Sequence, residues 1–174
     1  MKKAVFIDKD GVIIEDTGFV HKIEDFKLVT NALEGLKLLK GYELFIVTNQ
    51  SGIGRGHYTI DDFKKFNNHL IKELKNNKIK IEKTYYCPHK PEDNCQCRKP
   101  KTKFLEEAEK EFGINLKKSF VIGDRKSDFE LGKSAGCSTI HVLTGYGSNS
   151  KNEVKPDYFA RDLLDAAEWI LKNG

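Results

Sequence analysis

The chain predicts an α/β fold built on a central parallel sheet with helices on both faces. Short apolar runs alternate with longer amphipathic ones along the chain, the pattern of strands linked by crossover helices. The short runs are β-branched or aromatic and bounded by Gly, Asp or Asn, as strands buried on both faces are. The length of 174 residues suits one domain, so residues 1–174 are read as a single unit. Hydrophobic residues make up 39%, with 11 Phe and 6 Tyr, and charged residues 32%. That is enough apolar mass for a core and enough mixed charge for a wet surface.

Ala4–Ile7 reads as the first strand. Ala32–Lys40 repeats Leu33, Leu36 and Leu39 at helical spacing, and Leu44–Val47 is the second strand. Asp61–Lys75 is the clearest helix. It sets Phe63, Phe66, Leu70, Ile71 and Leu74 on one face, behind Thr59 with Asp62 three residues on, an acidic capping box. Thr84–Tyr86 is the third strand. Lys103–Phe112 is a helix that stops at Gly113, a residue suited to the position after a helix end. Phe120–Ile122 and Thr139–Leu143 complete the strands, and Asp162–Leu171 is the last helix. Only about 86–101 follows neither period, and it carries three of the four cysteines.

Several classes are excluded. No apolar run approaches the ~20 residues of a membrane span. The four-residue run after Met1-Lys2-Lys3 ends in charge, so it reads as a strand rather than a secretion signal, and a cytoplasmic protein is expected. The net charge is 30 − 26 = +4 without a basic cluster, which suits a small anion and argues against nucleic acid. Asp8–Gly11 has its Gly too early for an EF-hand. Gly132-Lys133-Ser134 lacks the earlier Gly of a P-loop, and Gly52-Ile53-Gly54-Arg55-Gly56 has the wrong spacing for a dinucleotide fingerprint.

Ligands of an open parallel sheet bind beyond the carboxyl ends of its strands. Three such ends carry polar segments here: Asp8-Lys9-Asp10-Gly11, Thr48-Asn49-Gln50-Ser51-Gly52 and Gly123-Asp124-Arg125-Lys126-Ser127-Asp128. Each alone is an ordinary turn. Together they bring like charges to one rim, and a divalent cation bridging Asp8 and Asp124 would relieve the repulsion. Carboxylate oxygens favour Mg²⁺. Lys9 and Lys101 read as solvated charges, as does His69 on the polar side of its helix. His141 falls within a strand, Cys137 reads as core, and His57 has no partner pattern.

Cys87-x-His89-x5-Cys95-x-Cys97 packs three thiols and one imidazole into eleven residues, a tetrahedral donor set for structural Zn²⁺. A disulfide is the competing cross-link; it would leave an odd thiol, and no secretion signal supports it. The loop runs straight into Arg98 and Lys99, so its expected job is to hold those cations over the site.

The three strand-end segments resemble motifs I, II and IV of the haloacid dehalogenase (HAD) superfamily of phosphatases. Arg98-Lys99-Pro100-Lys101 resembles motif III, and the likeness runs from about Ala4 to Leu143. It implies a three-layer Rossmann-like fold and Mg²⁺-dependent hydrolysis of a small phosphorylated substrate through an aspartyl-phosphate. Asp8 would be the nucleophile and Asp10 the general acid and base. Thr48 would donate to the phosphoryl group with Asn49 beside it, and Lys99 would add fixed positive charge. Asp8, the carbonyl of Asp10 and Asp124 would hold Mg²⁺, with Asp128 orienting that site from behind.

The zinc-loop pattern resembles one subgroup (IIIA) with two activities. One removes the 7-phosphate of D-glycero-D-manno-heptose 1,7-bisphosphate, a precursor of surface polysaccharide; the other hydrolyses histidinol phosphate. Gly18-Phe19-Val20-His21 and Tyr85-Tyr86-Cys87-Pro88-His89 resemble the heptose enzymes, whereas the short zinc loop and Arg125 resemble the histidinol enzymes. The heptose likeness favours that substrate, with a related sugar phosphate as a further alternative. It would set Asp16, Thr17, Gly18 and Phe19 near the sugar, Thr48, Asn49, Gln50 and Ser51 at the phosphate, and Arg98 and Arg125 on the substrate. The segments after Gly11 and Thr48 are too short for a large cap. A monomer is expected. A phospho-accepting regulatory domain and a zinc-based binding module are the rival classes; Asp10 argues against the first and the short loop against the second.

Overall fold

The computed structural model describes residues 1–174. In chain order its elements are β1 (Ala4–Ile7), α1 (Ala32–Leu38), β2 (Glu43–Asn49), α2 (Ser51–Gly54), α3 (Ile60–Asn76) and β3 (Lys83–Cys87). There follow α4 (Lys103–Phe112), β4 (Phe120–Gly123), α5 (Lys126–Ala135), β5 (Ser138–Val142), α6 (Gly147–Ser150), β6 (Tyr158–Ala160) and α7 (Leu163–Asn173). All six strands are parallel in the order β3-β2-β1-β4-β5-β6. The chain starts at the centre, runs outward to β3, then returns past β1 to build the other half.

Alternation along each strand splits the core in two. Val5, Ile7, Leu44, Ile46, Phe120 and Ile122 join one cluster with Leu36 of α1, Phe66, Leu70 and Leu74 of α3, and Ala166 and Ile170 of α7. Ala4, Phe6, Phe45, Val47 and Val121 join the other with Leu105 and Ala108 of α4 and Leu131 of α5. Burying each large side chain stabilises the fold by roughly 1.5–3 kcal/mol. The capping box at Thr59 forms as expected, with the Asp62 amide donating to the Thr59 hydroxyl at 3.1 Å and the Thr59 amide to the Asp62 carboxylate at 2.9 Å. Gly113 closes α4 in the left-handed conformation, φ 69°.

The sequence pattern misses four elements, one of them α2, a single turn at Ser51–Gly54. β6 has only three residues, too few for a period to register. α5 starts directly behind Gly123-Asp124-Arg125, where the polar segment masks the first turn. α6 spans a single turn.

Candidate active site

β1, β2 and β4 are neighbours, so their carboxyl ends open onto one place. Asp8 and Asp124 follow the last core residues of β1 and β4, and Thr48 and Asn49 end β2. A cavity of about 720 Å³ lies over them. Its lining includes Asp8, Asp10, Asn49, Gln50, Ser51, Arg98, Lys99 and Arg125 from the strand ends and the cysteine loop, with Asp16, Gly18 and Phe19 from the segment after β1.

At the floor, Lys99 Nζ donates to Asp8 Oδ1 at 2.8 Å and to the Val47 carbonyl at 2.9 Å, and pairs with Asp128 Oδ1 at 2.7 Å. Asp128 Oδ2 accepts from the Arg125 amide at 3.1 Å, so Asp128 fastens Lys99 to the start of α5. Asn49 braces the same lysine through its backbone: its side-chain oxygen accepts from the Lys99 amide at 3.0 Å, and its amide donates to the Lys99 carbonyl at 3.4 Å.

Asp8, Asp124 and Asp128 are all buried, with one oxygen of each within 4.8 Å of the others. Burial raises the Asp8 carboxyl well above the ordinary range, against the pull of Lys99 and with Asp128, Asp124 and Asp10 adding to the rise. Burial, then Asp128, pushes Asp124 up to about 6. Lys99 is drawn down by burial, yet Asp128 and Asp8 outweigh that and hold it above its usual value. Three carboxylates against one ammonium leave two negative charges in a buried space. Asp124 Oδ2 accepts from the Tyr146 amide at 2.7 Å, whereas its Oδ1 is buried with no partner. A hard divalent cation fits that donor set and the orphaned oxygen. Gly11 turns the chain at φ 84°, and a side chain there would run into the Asp124 carboxylate; the close passage requires glycine.

The sulfurs of Cys87, Cys95 and Cys97 lie 3.1–3.6 Å apart, and His89 Nδ1 is 3.3 Å from Cys97 Sγ and 3.6 Å from Cys87 Sγ. All four cysteines of the chain are free thiols, so the disulfide alternative is not what folds here. Edges of this length suit a tetrahedron around one ion. Burial pushes the Cys87 thiol up. At Cys95 burial is outweighed by hydrogen bonds from the Cys97 and Arg98 amides and the Cys87 thiol, which bring it down to about 6. Arg98 donates back to the His89 carbonyl at 3.2 Å, which ties the arginine to the loop.

Other sequence readings are corrected. Lys9 is not a surface charge: it is 0% exposed, 2.9 Å from Asp10 Oδ1 and 4.8 Å from the centre of the Phe66 ring. Lys101 is exposed, as expected. His69 is half-buried, edge-on to Phe26. Thr17 is exposed and absent from the lining, although Asp16 and Gly18 on either side belong to it. Thr48 is buried beneath the cavity and donates to Asp10 Oδ2 at 3.3 Å. Cys137 is core and His141 lies within β5.

The sequence reading did not single out Arg55, His57, Tyr58, Ser127 or Tyr146 as lining residues. The first three follow the Thr48–Ser51 segment through a glycine-bounded turn, a signal that was available. Tyr146 comes from a different strand end, and nothing local betrays it. Arg125 connects several of these groups: it pairs with Asp16 at 3.2 Å and lies 3.9 Å from the centre of the Tyr146 ring.

A family model described as HAD-hydrolase-like matches residues 96–166. D-glycero-beta-D-manno-heptose-1,7-bisphosphate 7-phosphatase of Helicobacter pylori strain J99 is 39% identical over 174 residues, covering 97% of each chain. The corresponding alpha-anomer enzyme of Campylobacter jejuni is 45% identical over 143 residues, 81% of this chain and 82% of that one. The crystal structure of D,D-heptose 1,7-bisphosphate phosphatase from B. bronchiseptica, complexed with magnesium and phosphate, superposes with a TM-score of 0.92 at 25% identity and covers 99% of both chains. With the buried aspartates, the lysine between them and the cysteine loop all in one arrangement, the chain belongs to the HAD-superfamily family of heptose-1,7-bisphosphate 7-phosphatases.

Proposed function

We propose that this chain removes the 7-phosphate of D-glycero-D-manno-heptose 1,7-bisphosphate through a phosphoryl group carried transiently on Asp8. The single observation that carries the reading is the cavity floor: Asp8 paired to Lys99 at 2.8 Å, with Asp124 and Asp128 beside it. Residues 1–174 act together as one domain with the loop 86–101 inserted. No helix is long and apolar enough to cross a membrane; the reading is of a cytoplasmic enzyme acting on a small molecule rather than on nucleic acid.

Asp8 Oδ1 accepts from Lys99 and from the Lys9 amide at 2.9 Å, so Oδ2 is the oxygen left to attack phosphorus. As that bond forms, the bond from phosphorus to the sugar oxygen breaks, and Asp10 gives that oxygen a proton. Water then adds to the aspartyl-phosphate and passes a proton to Asp10, releasing inorganic phosphate and restoring the Asp8 carboxylate. Lys99, fixed by Asp128 and Asn49, balances charge on the phosphoryl oxygens in both steps. Asp8, the Asp10 carbonyl and Asp124 would hold Mg²⁺, which supplies further charge neutralisation when bound. Cys87, His89, Cys95 and Cys97 would hold Zn²⁺ as a brace for Arg98 and Lys99.

The relatives named above carry opposite anomers in their names, so the test measures kcat/KM for the alpha and beta bisphosphates and for histidinol phosphate side by side. A heptose bisphosphate turned over at least about tenfold better supports the reading; preference for histidinol phosphate overturns it.

A further inference from the structure

We propose that Lys9 and the Tyr58–Gln50 pair are positioning residues that fix the Asp10 carboxyl and select Oδ1 as the oxygen that exchanges the proton. The inference rests on the reading of Asp10 as the acid and base, and it adds three residues to that group.

Gln50 is 3% exposed and Tyr58 7%. The Tyr58 hydroxyl donates to Gln50 Oε1 at 2.5 Å, and Gln50 Nε2 donates to Asp10 Oδ2 at 2.9 Å and to Thr48 Oγ1 at 2.8 Å. The Tyr58 donor at Oε1 suits the orientation that faces Nε2 to Asp10; turned over, the Gln50 amide would set Oε1 against the Asp10 carboxylate, two acceptors facing each other. Burial, with the Asp10 and Asp16 charges adding to it, holds the Tyr58 phenol above its usual range and so protonated. Thr48 adds a second donor to Asp10 Oδ2 at 3.3 Å. Both lone pairs of Oδ2 are thereby used, and the acceptor capacity that remains is on Oδ1.

Lys9 stands beside that oxygen. Its ammonium is 2.9 Å from Oδ1 but is not aligned as a hydrogen bond. The contact supplies charge, and Oδ1 keeps acceptor capacity beyond it. The Phe66 and Phe63 rings lie 4.8 and 5.9 Å from the ammonium. An apolar side chain would fill that space without burying a charge, so packing alone does not call for lysine. When Asp10 gives its proton to the leaving oxygen, the negative charge it is left with appears next to a fixed cation.

The test compares an alkyl phosphate, heptose 1,7-bisphosphate, with 4-nitrophenyl phosphate, whose leaving group departs without a proton. kcat/KM reports steps up to formation of the phosphoenzyme and so isolates the acid role. Lys9→Met keeps length and suits the two rings; Tyr58→Phe removes one oxygen and keeps the ring stacked on His21 at 4.7 Å. Each variant is expected to lose about tenfold or more on the alkyl phosphate and less than about threefold on the aryl one, following Asp10→Asn in direction. Equal losses on both substrates, or none, while Asp10→Asn still discriminates, overturn the positioning role and leave the proposed function standing. If Asp10→Asn itself fails to discriminate, the reading of Asp10 as the acid falls, and this inference with it. If one variant does not fold, the other decides.

Discussion

Lys99 Nζ sits 2.8 Å from Asp8 Oδ1 at the cavity floor, with neither side chain more than 7% exposed. The same ammonium holds Asp128 at 2.7 Å. Lys99→Met would leave two buried carboxylates without their cation. Breaking a buried pair from one side costs about 3–5 kcal/mol. Thermal unfolding is expected to shift down sharply along with kcat. Adding Asp128→Asn should restore much of the melting temperature and none of the turnover. Recovery of activity in the double variant would contradict the role of Lys99 in charge balance.

Asp8→Asn keeps the shape of the side chain and removes its nucleophilicity. Phosphate release should fall by at least about 10³-fold while circular dichroism stays that of the parent. Metal-fluoride phosphate mimics should bind the parent against Asp8; an adduct elsewhere in the cavity rejects the assignment.

Cys95→Ser removes one corner of the thiol and imidazole cluster. Elemental analysis of freshly purified parent should give one zinc per chain and the variant close to none. Protease cleavage between Pro88 and Arg98 should quicken in the variant. KM should rise as Arg98 loses its hold on the His89 carbonyl. Parent protein without zinc would refute the metal assignment.

Asp165 ties β6 to α7. Burial works to raise its pKa, but the Arg161 amide and guanidinium and the Tyr158 hydroxyl, all donating to it, bring it below the ordinary 3.8. Depressed carboxylates stabilise the fold above their unfolded pKa and lose that contribution as pH falls through the folded one. Asp165→Asn should therefore melt about 2–4 °C below the parent near neutral pH, for a loss of about 1 kcal/mol in a chain this size. The gap should close as pH drops below 3.8. A gap that persists in acid would show that shape, not charge, is at work.

The strand-end groups that line or underlie the cavity are legible because their signal is local. Asp8, Thr48 and Asp124 follow buried runs, and the thiols of the cysteine loop are spaced a few residues apart. What the sequence hid is set by tertiary contact. Lys9 lies between two acidic residues and reads as a surface charge, yet the strand turns its side chain toward Phe66 of α3. Thr17 has the polarity of a binding residue, but the left-handed turn at Gly18 (φ 89°) and Phe19 (φ 51°) leaves it facing solvent. Tyr146 reaches the site only because β5 lies beside β4.

β1 is hydrogen-bonded on both sides, to β2 and to β4, and its four residues are at most 1% exposed. Its amides belong to the last part of the molecule to open, and the loops that line the cavity belong to the first. Amide exchange would thus be slowest in the segment that leads into Asp8 and fastest at the rim of the cavity. Substitutions at the rim can accumulate without loosening the strand that sets the chemistry, so a lineage is free to change what it dephosphorylates before it changes how.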